Sequence, residues 1–220
     1  TCALPIFNDL KADELVFLDI SATRENRVIS VDFVKKVGEE VNMPFAIGGG
    51  VNTLEDIRRL INAGAEKVII NTAAARNPNF IQQAAETFGS STIVVCIDVK
   101  KKFFSGNVVW SNSGSKSSKY SPKDFAKLIE ENGAGEIIIQ SINKDGTMSG
   151  YDLDLIKEIS TTVTIPVVAL GGAGNLEHMI EAYTQGFASA LAAGSLFVFQ
   201  GPKKGVLINY IENSDLSFFR

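Results

Sequence analysis

Residues 45–52 read FAIGGGVN, and residues 168–175 read VALGGAGN. In each stretch an apolar run ends in a glycine turn, and an amphipathic segment follows it. Glycine lets backbone N–H groups approach an anion closely, and the start of a helix adds a favourable dipole. One such turn is a weak signal, but two of them predict two anion sites on one scaffold.

The two glycine turns occupy equivalent positions in an internal repeat. When the sequence is shifted by 122 residues, similar residues align without a gap over about sixty positions. The aligned pairs include Glu14 with Glu136, Asp32 with Asp154, Pro44 with Pro166, Gly49-Gly50 with Gly171-Gly172, and Gly64 with Gly186. The repeat predicts two similar halves, with the two glycine turns on opposite sides of one face.

Apolar runs rich in β-branched residues alternate with longer amphipathic segments. These runs are apolar throughout, which is typical of parallel strands covered on both faces. They span residues 14–20, 44–49, 67–72, 92–99, 136–142, 166–172 and 189–197. Strand–helix alternation indicates βαβ units. We therefore expect an α/β fold, a (β/α)8 TIM barrel formed as one domain by residues 1–220.

The composition of the chain argues against several classes of protein. A net charge of −4 gives no positive surface for nucleic acid, and no apolar run is long enough to cross a membrane. The first residues lack the pattern of a secretory signal. Two cysteines and one histidine provide neither a disulfide framework nor a set of metal ligands. We expect a cytoplasmic protein that uses no metal and no other cofactor.

One segment interrupts the alternation of strands and helices. Residues 101–120 read KKFFSGNVVWSNSGSKSSKY, and the turn at Ser105-Gly106-Asn107 predicts a hairpin followed by a flexible loop. In a barrel, a loop that follows a strand lies on the catalytic face. We expect this segment to act as a lid, although a solvated insertion without a role is the alternative.

The two halves differ in length at their start. Asp98 precedes Glu136 by 38 residues, whereas Leu4 precedes Glu14 by only 10. If TCAL (1–4) is the first strand, the first half is 28 residues shorter than the second. Because a closed barrel can hardly omit a helix, we expect the first βα unit to be incomplete in this chain.

Several motifs, in order along the chain, resemble the cyclase subunit of imidazole glycerol phosphate synthase. They are DELVFLDI (13–20), GGG (48–50), INTAA (70–74), CIDVK (96–100), GAGEIIIQSINKDGTMSGYD (133–152) and ALGGAGNLEH (169–178). The resemblance implies a barrel of histidine biosynthesis that forms a heterodimer with a glutaminase and receives ammonia from it. The implied substrate is a bisphosphorylated formimino carboxamide ribotide, and the implied products are imidazole glycerol phosphate and an aminoimidazole carboxamide ribotide.

The resemblance implies a role for each matched residue. Asp98 corresponds to a catalytic aspartate, and a carboxylate can act as general acid or base while the imidazole ring closes. The implied phosphate and substrate contacts are Gly50, Asn71 and Thr72 on one side, Gly171, Gly172, Gly194 and Ser195 on the other, and Asp145 and Gly146 beside the substrate. The implied ammonia entrance consists of Glu14, Lys67 and Glu136. From the residues alone, the glycines could serve only as tight turns, Asp98 could hold a loop, and the charged residues could be structural ion pairs.

Five positions depart from the pattern of this family. One is Gly194, which separates Ala193 from Ser195 where the last strand of the family usually reads ALAAS. If TCAL is a strand, Leu4 takes the place of a second catalytic aspartate, and leucine cannot transfer a proton. Gln140, Asn143 and Leu170 stand where the family usually has threonine, aspartate and serine. The changes at the substrate-facing rim resemble a paralogous branch, in which the barrel passes ammonia from a glutaminase to a separate enzyme that amidinates a nucleotide-linked sugar for surface polysaccharides.

Two further classes stay open at this point. The sister isomerase of the same pathway has the same half-barrel repeat and also binds a substrate with two phosphates, but DELVFLDI and QSINKDGTMSGYD fit the cyclase better. A binding scaffold without catalytic activity is the other class, and it is suggested by Leu4 alone.

Overall fold

The computed structural model describes residues 4–102, 106–201, 204–211, 215 and 217–219. Its strands are β1 (Leu15–Leu18), β2 (Phe45–Gly48), β3 (Lys67–Ile70), β4 (Ile93–Lys102), β5 (Gly106–Ser111), β6 (Lys116–Ser117), β7 (Glu136–Ser141), β8 (Val167–Leu170), β9 (Ala190–Ala192), β10 (Phe199–Gln200) and β11 (Gly205–Val206). Seven of them form a parallel sheet in the order β1-β2-β3-β4-β7-β8-β9. Each predicted apolar run supplies one of these seven strands, so the predicted parallel α/β fold is confirmed.

Helices connect the parallel strands. They are α1 (Leu4–Asp9), α2 (Val31–Glu40), α3 (Leu54–Asn62), α4 (Thr72–Arg76), α5 (Asn79–Phe88), α6 (Pro122–Glu131), α7 (Leu153–Ser160), α8 (Leu176–Thr184) and α9 (Ser195–Val198). No helix in the described part of the chain has the length and apolar character needed to cross a bilayer.

The helix starts obey the same 122-residue repeat as the sequence. Ser30 caps α2 and Asp152 caps α7, whereas Thr53 caps α3 and Asn175 caps α8. In all four caps the side-chain oxygen accepts a hydrogen bond from the N–H of the residue three positions later. Such a cap satisfies one of the free donors at the start of a helix. The repeat is therefore present at the level of single hydrogen bonds.

The parallel sheet is curled, so that its two faces meet different neighbours. One face borders the interior of the curled sheet, here called the lumen, which is filled by the side chains of Ala46, Ile69, Val94, Cys96, Ile138 and Val168. The other face packs against the helices in a larger hydrophobic cluster. Burial on both faces explains why consecutive residues of the strands are apolar. This curled sheet with outer helices is the architecture of a TIM barrel.

An antiparallel extension of β4 projects from the barrel. Residue Asp98 of β4 pairs with Trp110 of β5, and β5 pairs with β6, so the predicted hairpin is confirmed in its described residues. Residues 103–105 lie outside them. Beyond β5, the N–H of Asn112 donates a hydrogen bond to Thr72 Oγ1, and the hydroxyl of Ser113 donates one to the carbonyl of Ile20. Both donor–acceptor distances are 2.9 Å. The turn after β5 therefore lies against the ends of two barrel strands, while its action as a lid stays a prediction.

The expectation that TCAL forms the first strand is wrong for Leu4. This residue begins α1, and its side chain is buried in the cluster between the sheet and the helices. Pro5 favours this arrangement, because the first turn of a helix tolerates a proline and does not need its missing N–H. Leu4 therefore does not stand at a catalytic strand end, and the comparison with a second catalytic aspartate no longer applies. Residues 1–3 lie outside the described residues.

The sheet is open at β1. In the described residues this strand pairs with β2 alone. Alternate residues of a strand share one face, so Val16 and Leu18 lie on the same side as Glu14, which directly precedes β1 and reaches a lysine of β3 across the lumen. The side of β1 that faces the lumen is exposed, to 38% at Val16 and 36% at Leu18.

Candidate functional site at the carboxyl ends of the strands

A cavity of about 770 Å³ opens at the carboxyl ends of β1, β2, β3, β4 and β7. Ligand sites of parallel α/β folds lie at this end of the strands. Of the residues predicted for the site, the cavity is lined by Gly50, Asn71, Thr72, Asp98 and Asp145. The volume is that of a pocket for a small organic molecule.

Gly50 lies where the loop after β1 crosses the loop after β2. A Cβ atom on Gly50 would come within 1.8 Å of the carbonyl oxygen of Arg27, and the φ of +71° is one that side chains rarely adopt. In the described residues, the N–H groups of Gly50 and Val51 donate to no protein acceptor. Free N–H groups that border a cavity are suited to an anion. We call this arrangement, Gly50-Val51 with Thr72 beside it, the first cradle.

A second cradle repeats this geometry at Gly172-Ala173, 122 residues later. Its N–H groups are likewise without a described acceptor, and a Cβ on Gly172 would come within 2.2 Å of the carbonyl oxygen of Gly150. Both cradles are tied to the following helix. Asp56 accepts from the N–H of Asn52 in the first, and His178 Nδ1 accepts from the N–H of Gly174 in the second.

The other residues predicted for the second cradle lie on the same end of the sheet but outside the large cavity. Gly171 follows β8 and packs against Asp145, since its Cβ would lie 3.5 Å from the Asp145 Cβ. Gly194 and Ser195 form the start of α9, directly after β9. The carbonyl of Gly146 accepts a hydrogen bond from Lys204 at 3.3 Å. The structure thus places the two predicted groups on either side of β4 and β7.

Asp98 lies between the two cradles, at the cavity end of β4. Its Oδ1 is 3.5 Å from the Cys96 thiol, and the side chain of Asn71 donates a hydrogen bond to the carbonyl of Cys96 at a distance of 2.9 Å. Burial raises the pKa of the Asp98 carboxyl to about 6, and the charge of Asp145 acts in the same direction, whereas hydrogen bonds from Cys96 and Asn71 oppose it. A carboxyl group with such a pKa can both accept and release a proton near neutral pH.

Three charged residues meet at the opposite end of the lumen. Lys67 Nζ lies 2.9 Å from a carboxylate oxygen of Glu14 and 2.9 Å from one of Glu136. Burial lowers the pKa of Lys67, but the hydrogen bonds and charges of the two glutamates outweigh it and leave the pKa above its usual value. The structure therefore brings these three residues together as ion pairs, while their role as an ammonia entrance stays a prediction. Between them and Asp98 lies the apolar lumen.

The departures from the family pattern lie at the cavity end of the lumen. The side-chain amide of Gln140 donates a hydrogen bond to Asp145 Oδ2 at a distance of 3.2 Å. The Oε1 atom of Gln140 lies 3.9 Å from the Cys96 sulfur. Asn143 accepts from the N–H of Lys101, and Leu170 packs against the lumen cluster. Gln140 and Leu170 therefore lie between the lumen cluster and the site.

Several residues of the cavity wall were not predicted from the sequence. Asp19 directly follows β1 and pairs with Arg27, whose hydrogen bond holds the pKa of this carboxyl below its ordinary value. A carboxylate at the end of an apolar run was the available signal. Arg24 and Arg76 also line the cavity, but as single arginines in polar segments they carry no signal of their own.

Sequence comparisons show the family to which the chain belongs. The profile of the histidine biosynthesis protein family matches residues 3–201. An imidazole glycerol phosphate synthase subunit HisF of a Hydrogenobaculum species is 45% identical over 211 residues, which cover 96% of this chain and 84% of that protein. HisF of Chlorobium phaeobacteroides is 46% identical over 197 residues, or 88% of this chain and 77% of that protein.

A third relative comes from Pseudomonas aeruginosa and is provisionally named imidazole glycerol phosphate synthase subunit hisF2. It is 42% identical over 208 residues, which cover 94% of this chain and 83% of that protein. The identity and the coverage of all three relatives, with the family match, establish that this chain belongs to the histidine biosynthesis protein family and, within it, to the HisF group.

Proposed function

We propose that this chain is the cyclase subunit of an imidazole glycerol phosphate synthase. It would use ammonia from a glutaminase partner to convert a phosphoribulosyl formimino carboxamide ribotide into imidazole glycerol phosphate and aminoimidazole carboxamide ribotide, which is a lyase reaction. The observation that carries the proposal is the position of Asp98 on a central strand, with one glycine cradle on each side of it.

The two cradles suit the two ends of the proposed substrate. Each offers two free N–H groups, from Gly50 and Val51 or from Gly172 and Ala173, next to the start of a nine-residue helix. N–H groups and helix dipoles of this kind favour phosphate. A ligand held at both ends spans the ends of β4 and β7, so its middle lies over Asp98. Asp98 would then move protons while the imidazole ring closes.

The lumen offers a route for ammonia from the opposite end of the barrel. Its residues are apolar and mostly small or of medium size, from Ala46 to Ile138, and it runs from the Lys67 group to Asp98. The ion pairs at Lys67 would act as the entrance, and the partner would dock at that end. A neutral ammonia molecule crosses an apolar passage at lower cost than an ammonium ion.

The ammonia-channelling paralogue is the second candidate. One observation favours it: Gln140, larger than the usual threonine, lies at the end of the lumen and is hydrogen-bonded to Asp145. The departures at Asn143 and Leu170 are compatible with it as well, but the support from Leu4 is removed, because Leu4 lies in α1 and replaces no catalytic residue.

A turnover assay separates the two candidates. The full chain is supplied with an ammonium salt at alkaline pH and with the formimino carboxamide ribotide, and product is followed by absorbance. Turnover supports the cyclase. A folded protein that shows no turnover but activates a glutaminase partner would instead identify the paralogue, and absence of both activities would contradict both candidates.

Lys67→Met should uncouple the two sources of ammonia. We expect glutamine-driven turnover in the complex with the glutaminase to fall roughly tenfold, because Glu14 and Glu136 lose the cation between them and the entrance is rearranged. Turnover driven by free ammonium should change little, since Asp98 and both cradles are unaltered. The control is Lys36→Met, which removes an exposed lysine from α2. Equal loss with both ammonia sources would contradict a role in the ammonia route.

A further inference from the structure

Three arginines line the cavity beside the first cradle, and two of them have no protein partner. Arg27 is held by Asp19 and Glu25. The side chains of Arg24 and Arg76, by contrast, make no ion pair and no hydrogen bond with the described residues. Arg24 belongs to the loop after β1, and Arg76 ends α4, so the two guanidinium groups enter the cavity wall from different elements.

Arg24 and Arg76 place two positive charges, both on exposed side chains, in one cavity wall. The chain has a net charge of −4, so carboxylates are in excess, yet none of the described ones pairs with either arginine. Like charges that line one cavity repel each other, and an anion between them removes the repulsion. The planar guanidinium group binds two phosphate oxygens at once, and the free N–H groups of Gly50 and Val51 border the same cavity.

The repeat shows that these arginines distinguish the first cradle from the second. The residue 122 positions after Arg24 is Gly146, and the residue 122 positions after Arg76 is Val198. The two cradles therefore share their backbone geometry but differ in charge at these positions. A pair of arginines confined to one half is not needed for the fold, because the other half forms without it.

We propose that Arg24 and Arg76 are positioning residues that bind the outer oxygens of a phosphate monoester held by Gly50 and Val51. The ligand class is a dianionic phosphate on a small molecule, and its identification as one end of the bisphosphorylated substrate rests on the proposed function. The arginines make the two ends of the site unequal. They fix which phosphate enters the first cradle and thereby the direction in which the substrate lies over Asp98.

Titration with inorganic phosphate tests the site without any turnover. The backbone amide resonances of Gly50 and Val51 report the first cradle by NMR, and those of Gly172 and Ala173 report the second in the same sample. In the double variant Arg24→Gln/Arg76→Gln we expect phosphate affinity at the first cradle to fall at least about tenfold, with the second unchanged. Arg59→Gln, which removes an exposed arginine from α3 outside the large cavity, is the control and should change neither.

Turnover gives a second readout. If the chain is a cyclase, the double variant should raise KM for the ribotide at least about tenfold while kcat changes little, because the arginines act in binding. Unchanged phosphate affinity at Gly50 and Val51 would overturn the inference, as would an equal loss at both cradles or with Arg59→Gln. Selective loss at the first cradle in a chain without turnover would support the site while contradicting the proposed reaction.

Discussion

Asp98→Asn should abolish ammonium-driven turnover and at the same time stabilise the protein. An asparagine keeps the shape of the side chain but cannot transfer a proton, and one acid–base group contributes about a hundredfold or more to a rate. The expected result is a loss of kcat by at least that factor, with KM for the ribotide little changed, because both cradles are intact. Initial rates at saturating substrate measure it.

The stabilisation follows from the raised pKa of Asp98. In the folded protein this pKa is about 6, against an ordinary value of 3.8. Above about pH 6 both states are ionised, and only the folded state carries the cost of a buried charge. Below about pH 4 both are protonated and the cost is absent. The contribution of Asp98 to the free energy of unfolding therefore falls as the pH rises from about 4 to about 6. An asparagine does not ionise, so it abolishes this decrease.

Denaturant unfolding at two pH values measures this effect. Asp98→Asn should exceed the native chain in free energy of unfolding by about 2–3 kcal/mol near pH 8, and by little near pH 4. Asp154→Asn, an exposed residue of α7, is the control and should show no such gain. A variant that unfolds more easily at pH 8 would contradict the cost of charge burial, and full turnover would contradict the catalytic role.

The repeat is the part of the structure that the sequence predicts best. Local signals determine it: the caps at Thr53 and Asn175 are short polar side chains directly before amphipathic segments, and they are 122 residues apart. Continuous apolar runs likewise predict buried parallel strands, because no other common element combines that length with that composition. Asp98 was predicted from its match to the CIDVK motif of the family, because a carboxylate at the end of a strand could equally hold a loop.

Other features depend on contacts between distant segments. Leu4 looks like a strand residue when only apolar character is read, but Pro5 and the packing of α1 decide otherwise. Arg24 and Arg76 share a cavity only because the loop after β1 and the end of α4 meet in space. The contact of Asn112 with Thr72 joins the hairpin to a barrel strand. The local sequence does not indicate such contacts between distant segments.

Gly50→Ala should destabilise the fold strongly, and Gly146 provides a matched comparison. Both glycines have a φ of +71°, so alanine meets the same backbone strain at either position. The two positions differ in the space available to a Cβ atom. A Cβ on Gly50 would come within 1.8 Å of the backbone oxygen of Arg27, whereas a Cβ on Gly146 meets no atom within 4 Å. The difference between the two variants therefore isolates the close approach of the two loops at the first cradle.

We expect Gly146→Ala to lower the free energy of unfolding by about 1–2 kcal/mol, the cost of a left-handed alanine. Gly50→Ala should lower it by more than about 4 kcal/mol, because the backbone of the loop after β1 must move. Phosphate binding at the first cradle should be lost with it, while the amides of Gly172 and Ala173 still respond. Equal destabilisation by the two variants would show that conformational freedom alone requires glycine at position 50, and that the loop after β1 does not hold the cradle in place.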